Sequence, residues 1–179
     1  VYTNEGIGEM SRIYHRLYAN NLIRGQWKKA KRPLLINNWE GTGMNFDDDK
    51  LVEIAKWAKS MGIEMLVMDD GWFGYRNDDH SSLGDWDVNE TKLKGGLGSL
   101  ISRIKALGLK FGIWFEPEMI SPDSNLYRAH PDWCIHVPNR DRSQGRWQCV
   151  LDMTRADVRD YVFNKMAAVF GNFDVDYIK

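Results

Sequence analysis

The stretch Leu66-Val67-Met68-Asp69-Asp70-Gly71-Trp72-Phe73 is an apolar strand that ends abruptly in two carboxylates, a glycine and two aromatic rings. A strand that stops on acids and flat rings suits a polar ligand with an apolar face, and a sugar fits that description. The bland alternative is that Asp-Asp-Gly forms a plain turn.

The same layout repeats on either side. Upstream, Leu34-Leu35-Ile36 follows Pro33 as a short apolar run and is expected to be a buried strand ending at Asn37-Asn38-Trp39-Glu40. A helix is expected from about Asp48 to Met61, with Leu51, Ile54, Ala55 and Ala58 at helical spacing. Asp47, Asp48 and Asp49 favour the positive end of its dipole, and Gly62 stops it. Met65 to Met68 forms the second strand, and a long polar loop runs from Asp69 to about Gly96.

Downstream, Leu97, Leu100, Ile101 and Ile104 repeat the helical spacing before Gly108. Phe111 to Phe115 is the third strand and opens into Glu116-Pro117-Glu118, with Val150-Leu151 as a short extra strand in the loop beyond. Thr154-Arg155-Ala156-Asp157 has the form of a capping box, with Asp in place of Glu, before a helix carrying Val158, Val162, Met166 and Val169 on one face. Val175 to Lys179 begins a fourth strand, and Met10, Ile13, Tyr14 and Leu17 suggest a leading helix.

Helix-to-strand links are short, whereas the strand-to-helix links are mostly long and carry the acids and tryptophans. Alternating β and α units with apolar strands argue for a parallel sheet covered by helices. Function gathered after strand C-termini is the pattern of a (β/α)8 TIM barrel. A doubly wound sheet shares that rule, but no Gly-rich phosphate loop follows the first strand. A full barrel needs roughly 250 residues, so this chain would hold about the first four β/α units. The expected division is a leading helix and linker over 1–30 and a partial catalytic barrel over 31–179, ending within the fourth strand.

Composition narrows the function classes. A net charge of -1 offers no electrostatic footprint for nucleic acid or an anionic membrane. The apolar runs are too short to span a bilayer. No signal-peptide pattern opens the chain, so a cytoplasmic location is expected. Val1 in place of Met suggests a segment of something longer. Cys134 and Cys149 form neither a disulfide framework nor a zinc motif, and His130 and His136 read as surface or packing residues. Of the eight tryptophans, Trp57 is expected to pack within its helix, whereas Trp39, Trp72, Trp86 and Trp114 lie at or beyond strand ends.

Asp69 and Asp70 are poorly placed as an acid and base pair. Neighbouring strand residues point to opposite faces. A glycosidase needs its carboxylates across the scissile bond, about 5 Å apart for retention and more for inversion. A clamp on a polyol is the better reading, since charged acceptors make stronger hydrogen bonds than neutral ones.

Several segments carry a resemblance. Pro33 to Glu40, Met68 to Phe73, Ser82-Leu83-Gly84-Asp85-Trp86 and Gly112 to Met119 resemble the microbial α-galactosidases of glycoside hydrolase family 36. So do His130 to Cys134, Leu151 to Arg159 and Asp176-Tyr177-Ile178-Lys179, in order along essentially the whole chain.

The resemblance implies a (β/α)8 barrel that hydrolyses terminal α-galactose, as in melibiose and raffinose, with retention and with no metal or cofactor. It implies α-galactoside as the partner, neither nucleic acid nor membrane, and a homo-oligomer in the full-length enzyme. It places the nucleophile in a Lys-Trp-Asp motif that begins at Lys179, two residues further on, and the acid/base on a later strand. Neither catalytic carboxylate is then expected in this chain.

What it does imply here is a sugar-binding set. Asp69 and Asp70 take galactose hydroxyls, Lys179 donates beside the nucleophile, Arg146 reaches the site, and Trp39 and Trp114 form its walls. Glu116 and Glu118 read as loop-ordering residues, and Asp85 and Trp86 as either pocket lining or loop folding. A related α-N-acetylgalactosaminidase, a galactosyltransferase of the raffinose-synthase type, or a non-catalytic half-barrel that binds sugar stand as alternatives.

Overall fold

The computed structural model describes residues 2–179. It contains two compact units, one ending at Pro33 and one running from Leu34 to Lys179. In the first, α1 (Ile7–Leu17) continues into a π-helical turn at Tyr18–Leu22, and a 3-10 turn follows at Gly25–Lys28. Glu9 is the electrostatic centre of α1, accepting from Arg12 at 2.7 Å and Arg16 at 2.6 Å. The leading helix is therefore present, but none of its residues is buried.

The second unit begins with β1 (Leu35–Asn37), α2 (Trp39–Thr42), α3 (Asp48–Ser60) and β2 (Met65–Met68). Next come α4 (Gly96–Ala106), β3 (Lys110–Ile113), β4 (Met119–Ile120) and α5 (Asn125–Ala129). A 3-10 turn at Pro131–Trp133, β5 (Cys149–Val150), α6 (Ala156–Asn172) and β6 (Tyr177–Ile178) complete it. The main sheet has four parallel strands in the order β1-β2-β3-β6. β4 and β5 pair antiparallel inside the long segment after β3.

Periodicity explains the core. All four residues of β2 are buried, as a strand covered on both faces requires. α3 buries Leu51, Val52, Ala55 and Ala58 against it, and α4 buries Leu97, Leu100, Ile101 and Ile104. α6 contributes Val158, Val162 and Val169. The Asp47 side chain caps α3 by accepting from the Lys50 N–H at 2.8 Å.

The structure corrects four expectations. The first strand is not buried: Leu34 is 55% and Leu35 44% exposed, because β1 has a neighbour on one side only. Trp57 is not packed but 66% exposed. It lies two residues after Ala55, about 200° around the helix from the buried stripe. The capping box does not form; Thr154 turns back to Asp152, its hydroxyl donating at 2.6 Å, and Arg155 precedes α6 without a side-chain cap. The extra strand falls on Cys149–Val150, with Leu151 making only a single bridge to Cys134.

Lys92 ties the loops at the C-terminal end of the sheet. Its Nζ donates to the carbonyls of Met44 (2.8 Å), Gly71 (2.9 Å) and Arg76 (3.0 Å). Gly71 has φ 103°, and a Cβ there would press on the Met44 side chain and on Lys92 Nζ. Burial pushes the Lys92 amine down to about 8, with Asp70 pulling the other way.

Two outcomes are expected. Trp57→Ala shifts the urea unfolding free energy by no more than about 0.5 kcal/mol, whereas Trp72→Ala, fully buried, costs about 3–5 kcal/mol. For Lys92, the unfolded chain holds the proton more tightly than the folded one. Stability therefore rises with pH between about 8 and the ordinary lysine value. Thermal midpoints measured across that window should show wild type gaining steadily on Lys92→Met.

Candidate sugar-binding site

The strand ends converge on Asp69, which is 4% exposed. Its Oδ2 accepts from Asn37 Nδ2 at the end of β1 (2.5 Å) and from Lys179 Nζ just after β6 (2.6 Å). Its Oδ1 accepts from the Asp70 N–H at 2.9 Å, and its own N–H donates to Asn38 Oδ1 at 2.8 Å. One carboxylate thus registers three strand termini.

Asp70 is 3% exposed and faces Arg76, whose side chain is fully buried. Arg76 Nε donates to Oδ1 at 3.0 Å and Nη2 to Oδ2 at 2.9 Å, a bidentate fork, while Nη1 donates to the Ser81 carbonyl at 2.9 Å.

Above the strand ends lies a cavity of about 200 Å³ lined by Trp39, Asp69, Asp70, Trp114, Glu116, Arg146 and Lys179. It is smaller than the roughly 300–1,000 Å³ of drug-sized sites. All six residues expected to bind the ligand are brought together here. Trp114 backs onto the core through Phe73, stacked at 6.3 Å and 15°, and its carbonyl accepts from Trp72 Nε1 at 2.8 Å.

Glu116 joins the lining as well. It orders its loop as expected, accepting from Gln148 Nε2 at 2.9 Å, but its carboxyl also faces the cavity. Burial, then Glu118 and Asp70, push its pKa up, opposed by Arg146 and Arg76. Asp85 and Trp86 resolve as loop-folding residues. Asp85 accepts the N–H groups of Asn125 and Leu126 at 2.8 and 2.9 Å, and Trp86 is buried against Phe73 and Phe115.

Arg146 also has an ion-pair role, with Nε 3.7 Å from Asp79. It sits at the tip of a tight hairpin closed by Gly145 and Gln148. Arg76 was not foreseen. It lies in a polar loop without periodicity, and the only signal for it was the need of a buried acid for a counter-charge.

The chemistry follows from the pairing. Asp69 is matched by Lys179, Asp70 by Arg76, and Arg146 stands near Glu116. With its charges internally balanced, the pocket offers donors, acceptors and two indole walls to a neutral polar ligand. Among the described residues no group of three or more His, Cys, Asp and Glu side chains is arranged to hold a metal.

Comparison with known proteins supplies the lineage. The Melibiase family profile matches residues 1–179. The chain is 52% identical over its whole length to α-galactosidase AgaA of Geobacillus stearothermophilus and 48% identical to α-galactosidase Mel36A of Lactobacillus acidophilus. It covers 25% and 24% of those proteins, about a quarter of their length. A crystal structure of a G. stearothermophilus AgaA variant in complex with raffinose, described as a GH36 α-galactosidase, superposes with a TM-score of 0.92 at 52% identity, covering 99% of this chain and 25% of that one. This chain belongs to the melibiase family, alongside the α-galactosidases of glycoside hydrolase family 36.

Proposed function

We propose that this chain supplies the first half of a (β/α)8 catalytic barrel in a retaining α-galactosidase acting on terminal α-D-galactosyl groups of the melibiose and raffinose type. The observation that carries the reading is the Asp69 carboxylate, held between Asn37 and Lys179 in a charge-balanced pocket walled by Trp39 and Trp114. In this role Asp69 and Asp70 accept galactose hydroxyls, Lys179 and Arg146 donate, and the indoles cover the apolar sugar face.

Barrel closure is supported by the sheet itself. Leu35 on β1 and Tyr177 and Ile178 on β6 leave apolar surface open at both edges. A groove of about 350 Å³ between them is lined by Leu35, Val67, Tyr177, Trp39 and Lys179. Further strands would cover both. The resemblance points to a homo-oligomer in the full-length enzyme, and no described helix is long and apolar enough to cross a membrane.

The chemistry in this reading is a double displacement through a covalent galactosyl-enzyme. The nucleophile follows Lys179 on the fourth strand and the acid/base lies on a later one, so these 179 residues contribute recognition and not bond cleavage. The full-length polypeptide is expected to release α-galactose first from an aryl α-galactoside, as read by proton NMR; β-galactose as first product would overturn retention. The 179-residue segment assayed alone is expected to give no turnover above background.

Two substitutions in the full-length enzyme should weaken the grip on substrate but differ in what they cost the fold. Asp69→Asn leaves Lys179 half in solvent, so its main effect is on substrate: a hydrogen bond to a charged group contributes about 1.5–3 kcal/mol, and kcat/KM should fall accordingly. Asp70→Asn strands the buried Arg76 guanidinium. It should destabilise the fold by about 3–5 kcal/mol, seen as a lowered unfolding midpoint.

A further inference from the structure

We infer that Cys134 and Cys149 are an oxidisable pair that closes into a disulfide and fastens the base of the segment whose tip carries Arg146 into the pocket. Both are free thiols and both are buried. The chain between them is the opposite, with 135–147 exposed apart from the half-buried Arg142. Cys134 bridges antiparallel to Leu151, and Cys149 pairs with Ile120. The Ile135 N–H donates to the Val150 carbonyl at 2.9 Å, and the Asp152 N–H to the Trp133 carbonyl at 2.7 Å. The excursion therefore leaves the fold and re-enters it at one place.

The two sulfurs meet at that place. Cys134 and Cys149 are side-chain hydrogen-bond partners inside an apolar cluster that includes Ile120, Leu126, Trp133 and Leu151. Alternate residues of a strand share a face, so Cys149 and Leu151 both point to the side where Cys134 lies opposite Leu151. Burial raises both thiols, Cys134 to about 11, so the resting pair is protonated.

A buried thiol with no route to solvent is inert. Cys134 has a route, because it lines a cleft of about 520 Å³ with Asp132, Ile135, His136, Arg142 and Asp152. Arg142 Nη2 donates to the Pro131 carbonyl at 2.9 Å, while its Nε is buried without a hydrogen-bond partner. Its positive charge favours the thiolate at both cysteines and opposes the effect of burial. The oxidant is a small aliphatic disulfide that enters this cleft. The Cys134 thiolate attacks one of its sulfurs, forming a mixed disulfide and expelling one small thiolate. The Cys149 thiolate then attacks the Cys134 sulfur, forming the protein disulfide and expelling the second. Two protein thiols become one disulfide, the small disulfide becomes two thiols, and the two protons pass to the expelled thiolates.

Ends joined covalently cannot part, so opening at the base of the segment is suppressed. The test equilibrates the full-length enzyme at mildly alkaline pH with hydroxyethyl disulfide, or with mercaptoethanol as the reduced control. Free thiols are then blocked with N-ethylmaleimide in denaturant, and tryptic peptides are mapped by mass. The expected product of oxidation is a peptide pair joined through Cys134 and Cys149. Recovery of both cysteines as maleimide adducts, or of Cys134 only as the mixed disulfide, overturns the pair. Amide hydrogen exchange reads the fastening: the peptide containing Ile135 should exchange roughly tenfold more slowly in the oxidised enzyme than in the reduced one. Cys149→Ser should show no difference between the two conditions. Equal exchange in oxidised and reduced wild type overturns the fastening even where the linkage is found.

Discussion

Two carboxylates at the end of a fully buried strand need partners, and the rest of the site is arranged around meeting that need. An ionised carboxyl taken out of water without a counter-charge costs several kcal/mol. Asp70 is satisfied from within its own loop, by a guanidinium that is itself fully buried and reachable only if the segment from Gly71 to Ser81 folds back. Asp69 is satisfied from outside, by Asn37 at the end of β1 and by Lys179 just after β6. One acid therefore shapes the loop, and the other sets the register between β1, β2 and the segment after β6.

Beneath this polar layer lies an aromatic one. Trp72, Phe73, Trp86, Trp114 and Phe115 pack with ring centroids between 4.4 and 6.3 Å, mostly tilted or edge-on. Such pairs contribute about 0.5–1.5 kcal/mol beyond the area they bury. Trp114 belongs to both layers, since the ring that lines the pocket is also fixed by the core. In the sugar-binding role proposed for it, this indole gains by being rigid before the ligand arrives, because less ordering is left to occur on binding.

The loops are held by short polar ties rather than by length of secondary structure. Lys92 gathers three carbonyls from two loops into one ammonium, and Asp85 caps the start of α5 across a separation of forty residues. The strained tip at Arg146 and Trp147 is the exception, since two positive-φ residues there cost energy that their contacts, with Asp79 and His80 among them, offset. Long loops on a rigid sheet are where function is generally carried, and these are long but well tied.

Much of this was already determined by the sequence alone. Hydrophobic spacing located α3, β2 and α4 to within a residue or two, because period and burial are local consequences of one helix or strand packing on one sheet. Ordered motifs identified the family and six pocket residues from Trp39 to Lys179. What only the tertiary structure decided depends on neighbours distant in the chain. β1 is exposed because it lies at an edge. Trp57 faces outward because Ala55 and Ala58 take the inner side of α3. Arg76 is a buried partner and not a loop cation because Asp70 stands beside it, and Glu116 both orders a loop and lines the pocket. A side chain's solvent exposure and electrostatic partner are properties of the packed molecule, and no pattern along the chain encodes which distant group will arrive.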